Sequence, residues 1–178
     1  MIILISGATH TGKTVTAQKL LELYKFPYIS IDHIKMGLIR SGNTELTAYD
    51  DEKLTPYLWN IVKEIIKTAI ENGQNLIVEG CYIPFDWQSD FTKDYIDKIT
   101  FFCIVMSENY IKKNFLEILK HENDIEQRLS CTVTENDLIA ENNRSLQLCK
   151  EYGLNYILID KNYEGELCTR LAKFIKIT

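Results

Sequence analysis

The chain has 178 residues, the length of one domain with a substantial core. Apolar residues make up 46% and charged residues 25%, and this balance excludes a largely disordered chain. The formal net charge of -5 disfavours nucleic acid as a partner, because nucleic-acid-binding surfaces are normally basic.

The cysteine pattern and the hydropathy predict a cytoplasmic protein. The five cysteines are scattered, with neither a C-x-x-C pair nor the spacing of zinc ligands, which suits free thiols in a reducing compartment. The first residues lack the basic and long apolar segments of a signal peptide. No apolar run approaches the roughly 18 residues that cross a bilayer, so we expect no membrane partner.

Short apolar runs alternate with longer amphipathic segments along the whole chain. The runs are rich in β-branched and aromatic residues and do not alternate with polar ones, as expected of strands buried on both faces. They are Ile2–Ile5, Tyr28–Ile31, Leu76–Val78, Ile99–Met106 and Tyr156–Ile159.

Helical patterns fill the intervals. Val15–Tyr24 and Thr55–Asn72 carry apolar residues at helical spacing, and Thr134-x-x-Asp137 has the form of a capping box at a helix start. Alternating strands and helices predict an α/β fold with a mainly parallel sheet. The chain contains no linker or repeat, so we expect residues 1–178 to form one domain.

The segment after the first run matches the phosphate-binding motif G-x-x-x-x-G-K-[ST]. Its residues are Gly7-Ala8-Thr9-His10-Thr11-Gly12-Lys13-Thr14. The glycines let backbone N–H groups approach phosphate oxygens, Lys13 would reach the β- and γ-phosphates, and the Thr14 hydroxyl would ligate Mg²⁺. An ordinary glycine-rich turn is the alternative, but a buried strand before the motif and a helix after it favour a site for ATP and Mg²⁺. We expect Lys13 to be exposed.

With this motif so early in a short chain, the sequence resembles the P-loop kinases of small metabolites and nucleotides. This group includes adenylate, shikimate and gluconate kinases, chloramphenicol phosphotransferases and zeta-toxin-like kinases. The resemblance implies a three-layer fold with a five-stranded parallel sheet in the order 2-3-1-4-5. It also implies an acceptor region after strand 2, a lid after strand 4 at about residues 112–135, and adenine packing at 160–163.

Polar residues that directly follow the runs should share one edge of the sheet with the motif, because ligands bind at the carboxyl ends of parallel strands. Asp32 follows the second run. By the resemblance it would contact the acceptor hydroxyl or a Mg²⁺-bound water, and it would accept the proton of an alcohol. Alternatively, Asp32 is the N-cap of a helix that begins near His33.

Two more residues are candidates for the acceptor side. Arg40 would bind an anionic acceptor, or it is a solvated cation at a helix C-terminus. Glu79 stands where many P-loop proteins carry a Walker B aspartate. Its carboxylate would meet Mg²⁺ through water, bind the acceptor, or only shape the site.

The resemblance also implies that lid cations neutralise the transferring phosphoryl group. Arg128 and Arg144 are the two arginines between Lys112 and Arg144, so one or both are candidate catalytic clamps. A solvated helix face is the alternative for each. The sequence thus predicts an ATP- and Mg²⁺-dependent phosphotransferase that acts on a hydroxyl or phosphate of a small acceptor. The rival interpretation is a non-catalytic or slowly hydrolysing nucleotide-binding regulatory protein, which would need no acceptor base.

Overall fold

A computed structural model describes residues 1–121 and 133–174, and for 172–174 it describes the backbone only. Its five strands form one parallel sheet in the order β2-β3-β1-β4-β5, which confirms the expected topology. The strands are β1 (Ile2–Gly7), β2 (Tyr28–Ser30), β3 (Leu76–Glu79), β4 (Ile99–Met106) and β5 (Tyr156–Ile159).

Helices connect the strands. They are α1 (Lys13–Tyr24), α2 (Ile31–Arg40), α3 (Asp51–Glu71), α4 (Lys93–Ile96), α5 (Glu108–Lys120), α6 (Glu135–Glu151) and α7 (Tyr163–Phe174). A short 3₁₀ helix, Trp87–Asp90, lies between β3 and α4. Within the described ranges, no helix combines the length and the apolar character needed to cross a membrane.

The apolar core lies on both faces of the sheet. In β1, Ile2 and Leu4 belong to one buried cluster with Leu58 of α3. Ile3 and Ile5 belong to a second cluster with Leu20 of α1. Successive residues of a strand point to opposite faces, so covering both faces requires the uninterrupted apolar runs seen in the sequence.

The start of α2 differs from the sequence-based expectation. Ile31 begins α2 rather than ending β2, and Ser30 occupies the N-cap position without a side-chain cap bond. The alternative interpretation of Asp32 as an N-cap is therefore wrong, since Asp32 lies in the first helical turn. The predicted capping box is confirmed, because the Thr134 and Asp137 side chains each accept from the other residue's backbone N–H.

Candidate active site

The segment Gly7–Thr14, called the P-loop from here on, connects the central strand β1 to α1. Two glycines are required by its shape. A Cβ on Gly7 would lie 2.6 Å from the Ile104 carbonyl oxygen. Gly12 has φ of 79°, and a Cβ there would overlap the Tyr163 hydroxyl. The loop thus adopts a backbone that other residues would strain.

Hydrogen bonds inside the P-loop hold its shape. The buried Thr11 hydroxyl donates to the Ala8 carbonyl at 2.9 Å, and the Thr9 hydroxyl and His10 Nδ1 lie 3.1 Å apart. Lys13 is only 6% exposed, and its Nζ donates to the same Ala8 carbonyl at 2.8 Å. The expectation of an exposed Lys13 is wrong, because the ammonium folds back into the loop, where a buried cation needs an acceptor.

The predicted metal ligand Thr14 lies against Glu79. The Thr14 hydroxyl donates to the Glu79 carboxylate at 3.2 Å, and Glu79 is 1% exposed at the end of β3. A buried carboxylate beside a hydroxyl is a fitting oxygen-donor set for Mg²⁺, which usually takes one or two protein oxygens together with phosphates and water. No group of three or more His, Cys, Asp or Glu side chains suited to a metal occurs in residues 1–121 and 133–174. The donor set therefore fits a metal shared with phosphates.

The strand ends bring Glu79 close to the start of α2, which carries Asp32. In the sheet register, Glu79 pairs with Ile5 of β1 on one side and with Ser30 of β2 on the other. Neighbouring strands are about 4.8 Å apart, so the chain leaves β1 for the P-loop and β2 for α2 within two strand spacings.

Asp32 belongs to a connected set of four side chains, which we call the acceptor network: Asp32, Lys35, Asp51 and Tyr82. Lys35 Nζ lies 2.7 Å from the Asp32 carboxylate and donates to the Tyr82 hydroxyl at 2.9 Å. The Tyr82 hydroxyl donates in turn to Asp51 at 2.6 Å. Three segments that are distant in sequence therefore meet here, at the starts of α2 and α3 and after β3.

Cys81 lies near both the acceptor network and the P-loop. It is solvent-exposed, yet desolvation by the surrounding protein raises the pKa of its thiol to about 11. The charges of Lys13, Asp32, Lys35 and Asp51 also act on the pKa of this thiol. Cys81 is therefore close enough to both groups of side chains for their charges to act on its thiol.

Arg40 lies at the opposite end of α2 from Asp32. It is exposed in the last turn of α2, eight residues after Asp32. At 1.5 Å per residue, the two positions are about 12 Å apart along the helix axis. Arg40 therefore lies at a helix end, as the solvated interpretation expects, and its anion-binding role stays a prediction.

Helix α6 approaches the P-loop from the other side. The Glu141 carboxylate accepts from the Thr9 backbone N–H at 3.2 Å. Arg144 is exposed three residues later, and residues three apart are neighbours on a helix surface. Arg144 thus lies on the part of α6 that is close to the P-loop. Arg128 lies outside the described residues, as does much of the predicted lid at 112–135.

The segment after β5 completes the surroundings of the P-loop. The backbone N–H groups of residues 160–162 donate to one Glu166 oxygen at 2.7, 3.1 and 3.4 Å, and these bonds lower the pKa of Glu166. The Tyr163 hydroxyl donates to the carbonyls of Thr11 and Gly12 at 3.1 and 3.4 Å. Residues 160–163, the predicted adenine position, are therefore fixed beside the P-loop.

Solved structures share this architecture. A candidate kinase from Chloroflexus aurantiacus has a TM-score of 0.59 at 16% identity, with 98% of both chains covered. The tunicamycin resistance protein of Deinococcus radiodurans has a TM-score of 0.57 at 18% identity, covering 99% of this chain and 96% of that one. Shikimate kinase from Bacteroides thetaiotaomicron has a TM-score of 0.53 at 12% identity, covering 97% and 96%.

The chain has the fold of the P-loop kinases. Neither a family model nor a curated protein sequence matches it. Because the identities to the solved structures are 12–18%, these comparisons show the P-loop kinase fold alone.

Sequence reasoning missed several residues that border the site. Lys35 could have been found, since it follows Asp32 by three positions and would lie on the same helix face. Asp51 and Glu141 gave no local signal, because each contact joins segments that are distant in sequence.

Proposed function

We propose that the protein is an ATP- and Mg²⁺-dependent phosphotransferase that acts on a small acceptor. The observation that carries the proposal is the register of three strand ends, in which Glu79 lies between Ile5 and Ser30. The P-loop follows Ile5 by way of Gly7, and Asp32 follows Ser30. A phosphate-binding loop and a candidate base for an acceptor therefore flank one buried carboxylate, an arrangement that a nucleotide switch does not need.

In this proposal the P-loop backbone binds the phosphates of ATP and Lys13 exchanges its Ala8 contact for phosphate oxygens. Both partners of that exchange remain satisfied, because Ala8 O keeps the Thr11 hydroxyl as a donor. Thr14 and Glu79 would hold Mg²⁺, which when bound supplies positive charge to the phosphate oxygens. The protein's contribution is positioning and electrostatic stabilisation, as in other phosphoryl transfers.

Asp32 would orient the acceptor hydroxyl and take its proton, with Lys35 keeping the carboxylate in place. Arg144 would neutralise charge on the transferred group from the α6 side, and Arg128 is the second candidate for this task. Among the described residues, Arg144 has no hydrogen-bond or ion-pair partner to give up.

The test compares two lysine variants of α1. Lys13→Ala should abolish acceptor-stimulated ATP consumption while the protein keeps its fold. Lys19→Ala is the matched control, since Lys19 lies six residues further along α1 and forms an exposed ion pair with Glu164 at 2.6 Å. Consumption of ATP would be measured with panels of nucleosides, sugars and amino sugars, and folding by circular dichroism.

Wild-type turnover in a folded Lys13→Ala protein would remove the P-loop from the mechanism. Tight ATP binding by the wild type without turnover on any acceptor would favour the regulatory alternative.

A further inference from the structure

We propose that the acceptor is a polyhydroxy molecule without negative charge, either neutral or cationic, and that the acceptor network binds it. This inference rests on the proposed function, since it names the substrate class of the same site. Its basis is the way the four side chains of the network already use their charges and protons.

The first step concerns the cation of the network. Lys35 is only 13% exposed in its side chain, and it contacts the Asp32 carboxylate, the Tyr82 hydroxyl and the face of the Tyr82 ring, whose centroid is 5.0 Å from Nζ. An ammonium has three N–H donors, so two are used and one remains. Lys35 can therefore donate one hydrogen bond to a ligand, but its charge is already balanced by Asp32.

The second step concerns the carboxylates. Asp32 and Asp51 carry two negative charges against the single positive charge of Lys35, so the network has a net charge of −1. Each carboxylate has oxygen lone pairs beyond the one contact described for it. An acceptor with several hydroxyl or ammonium donors can satisfy these oxygens, whereas a carboxylate or phosphate ester would face them with like charge.

The third step concerns Tyr82, which fixes the direction of the hydrogen bonds in the network. Tyr82 is 3% exposed, and desolvation together with the neighbouring Asp51 raises the pKa of its phenol, so the hydroxyl stays protonated. It therefore accepts from Lys35 and always donates to Asp51. This leaves the free Asp51 oxygen as an acceptor for ligand N–H or O–H groups.

The fourth step concerns the cations that an anionic acceptor would require. Arg40 lies about 12 Å along α2 from Asp32. Lys13 is directed into the P-loop. The two cations whose charges act on the Cys81 thiol, Lys13 and Lys35, are thus both committed to other partners.

The experiment measures binding and transfer separately with matched pairs of ligands. The pairs are uridine with uridine 5′-monophosphate, and glucose and glucosamine with gluconate. Isothermal titration is done on the full chain with Mg²⁺ and a non-hydrolysable ATP analogue, and phosphate transfer is measured with ATP. We expect the uncharged or cationic member to bind at least tenfold more tightly than its anionic partner. Equal or tighter binding of the anionic member, or no binding by any member, overturns the inference.

The two proposals fail in different ways. Phosphorylation of the anionic members alone would leave the phosphotransferase function standing and overturn the acceptor class. Binding of the neutral members without transfer would support the acceptor class and contradict the phosphotransferase function.

Tyr82→Phe tests whether the network is the binding element. Losing the hydroxyl removes a hydrogen bond to a charged group at each end, so we expect the dissociation constant of the preferred ligand to rise roughly ten- to a hundredfold. Binding of the ATP analogue should stay unchanged. Tyr95→Phe is the matched control, because the Tyr95 hydroxyl donates to Glu71 at 2.6 Å at the opposite end of α3. Equal ligand affinity in both variants would overturn the assignment.

Discussion

Gly12 directly precedes α1, and its backbone has φ of 79° and ψ of 27°. This left-handed conformation is available to glycine but strains other residues. The space is also occupied, since a Cβ at this position would overlap the Tyr163 hydroxyl and lie 2.9 Å from Cζ of the same ring. Gly12→Ala must therefore either shift the P-loop or displace Tyr163 from its bonds to Thr11 and Gly12.

The expected loss of stability is the sum of three contributions. A non-glycine residue in this region of φ and ψ costs about 1–3 kcal/mol. Loss of the single Tyr163 O–H hydrogen bond, which the Thr11 and Gly12 carbonyls share, costs about 0.5–1.5 kcal/mol. The lower entropy of alanine in the unfolded chain offsets about 0.4–1 kcal/mol. A net loss of roughly 0.5–4 kcal/mol lowers the Tm of a domain of this size by about 1–16 °C.

The assay is thermal unfolding of Gly12→Ala beside Gly37→Ala. Gly37 is an exposed residue inside α2, and a Cβ at this position would meet only open space within 4 Å. The same substitution there should stabilise the protein by about 0.5–1 kcal/mol, because alanine is the better helix former. The double variant Gly12→Ala/Tyr163→Phe should lose less than the two single variants together, since they share one contact. Additive losses, or an unchanged Tm for Gly12→Ala, would refute the steric explanation.

Two further variants probe Asp32 and the hydrogen bond between Asp90 and the buried Trp59 indole. Asp32→Asn should lower kcat for an alcohol acceptor about 10²–10⁴-fold. The Tm should stay nearly unchanged, because a part-exposed ion pair such as Asp32–Lys35 contributes little stability. Activity within about twofold of wild type in steady-state kinetics would exclude Asp32 as a base. Asp90→Ala should destabilise the fold by about 1–3 kcal/mol at neutral pH, because the buried Trp59 indole loses its acceptor at 2.8 Å. Hydrogen bonds from Lys63 and Trp59 lower the pKa of Asp90 below 3.8. The stability that the charged Asp90 contributes to the fold is therefore complete above pH 3.8, and it is lost as pH falls through the lowered pKa. The difference in urea midpoint between wild type and Asp90→Ala should therefore shrink below about pH 4, and a constant difference down to pH 2 would contradict this pH dependence.

The sheet could be predicted because its physical cause is local in sequence. The strands β1, β3 and most of β4 are buried on both faces, and an uninterrupted apolar run such as Ile99–Met106 expresses that burial directly. The capping box of α6 was equally visible, since Thr134 and Asp137 are three residues apart. The strand order, in contrast, was implied by the resemblance carried by the P-loop motif and not by the runs themselves.

The candidate site was predictable only in part. The sequence places Asp32 and Glu79 at strand ends, and strand register then brings them together. Lys35 could be deduced from its spacing to Asp32, but the contact of Asp51 with Tyr82 could not, because it joins α3 to the segment after β3. The burial of Lys13 was missed for a related reason. Its acceptor is a backbone carbonyl of the P-loop, and sequence patterns do not reveal where a carbonyl points.

The contact between Tyr163 and the P-loop has a consequence for biosynthesis. A ribosome delivers the chain from its N-terminus, so the P-loop emerges about 150 residues before the tyrosine whose hydroxyl bonds its carbonyls. The pairing of β1, the strand that leads into the P-loop, is also delayed, because its partners β3 and β4 are translated later. The P-loop is therefore translated early and its surroundings are completed late. A nascent chain released before residue 163 would carry the complete P-loop motif without the side chain that supports it.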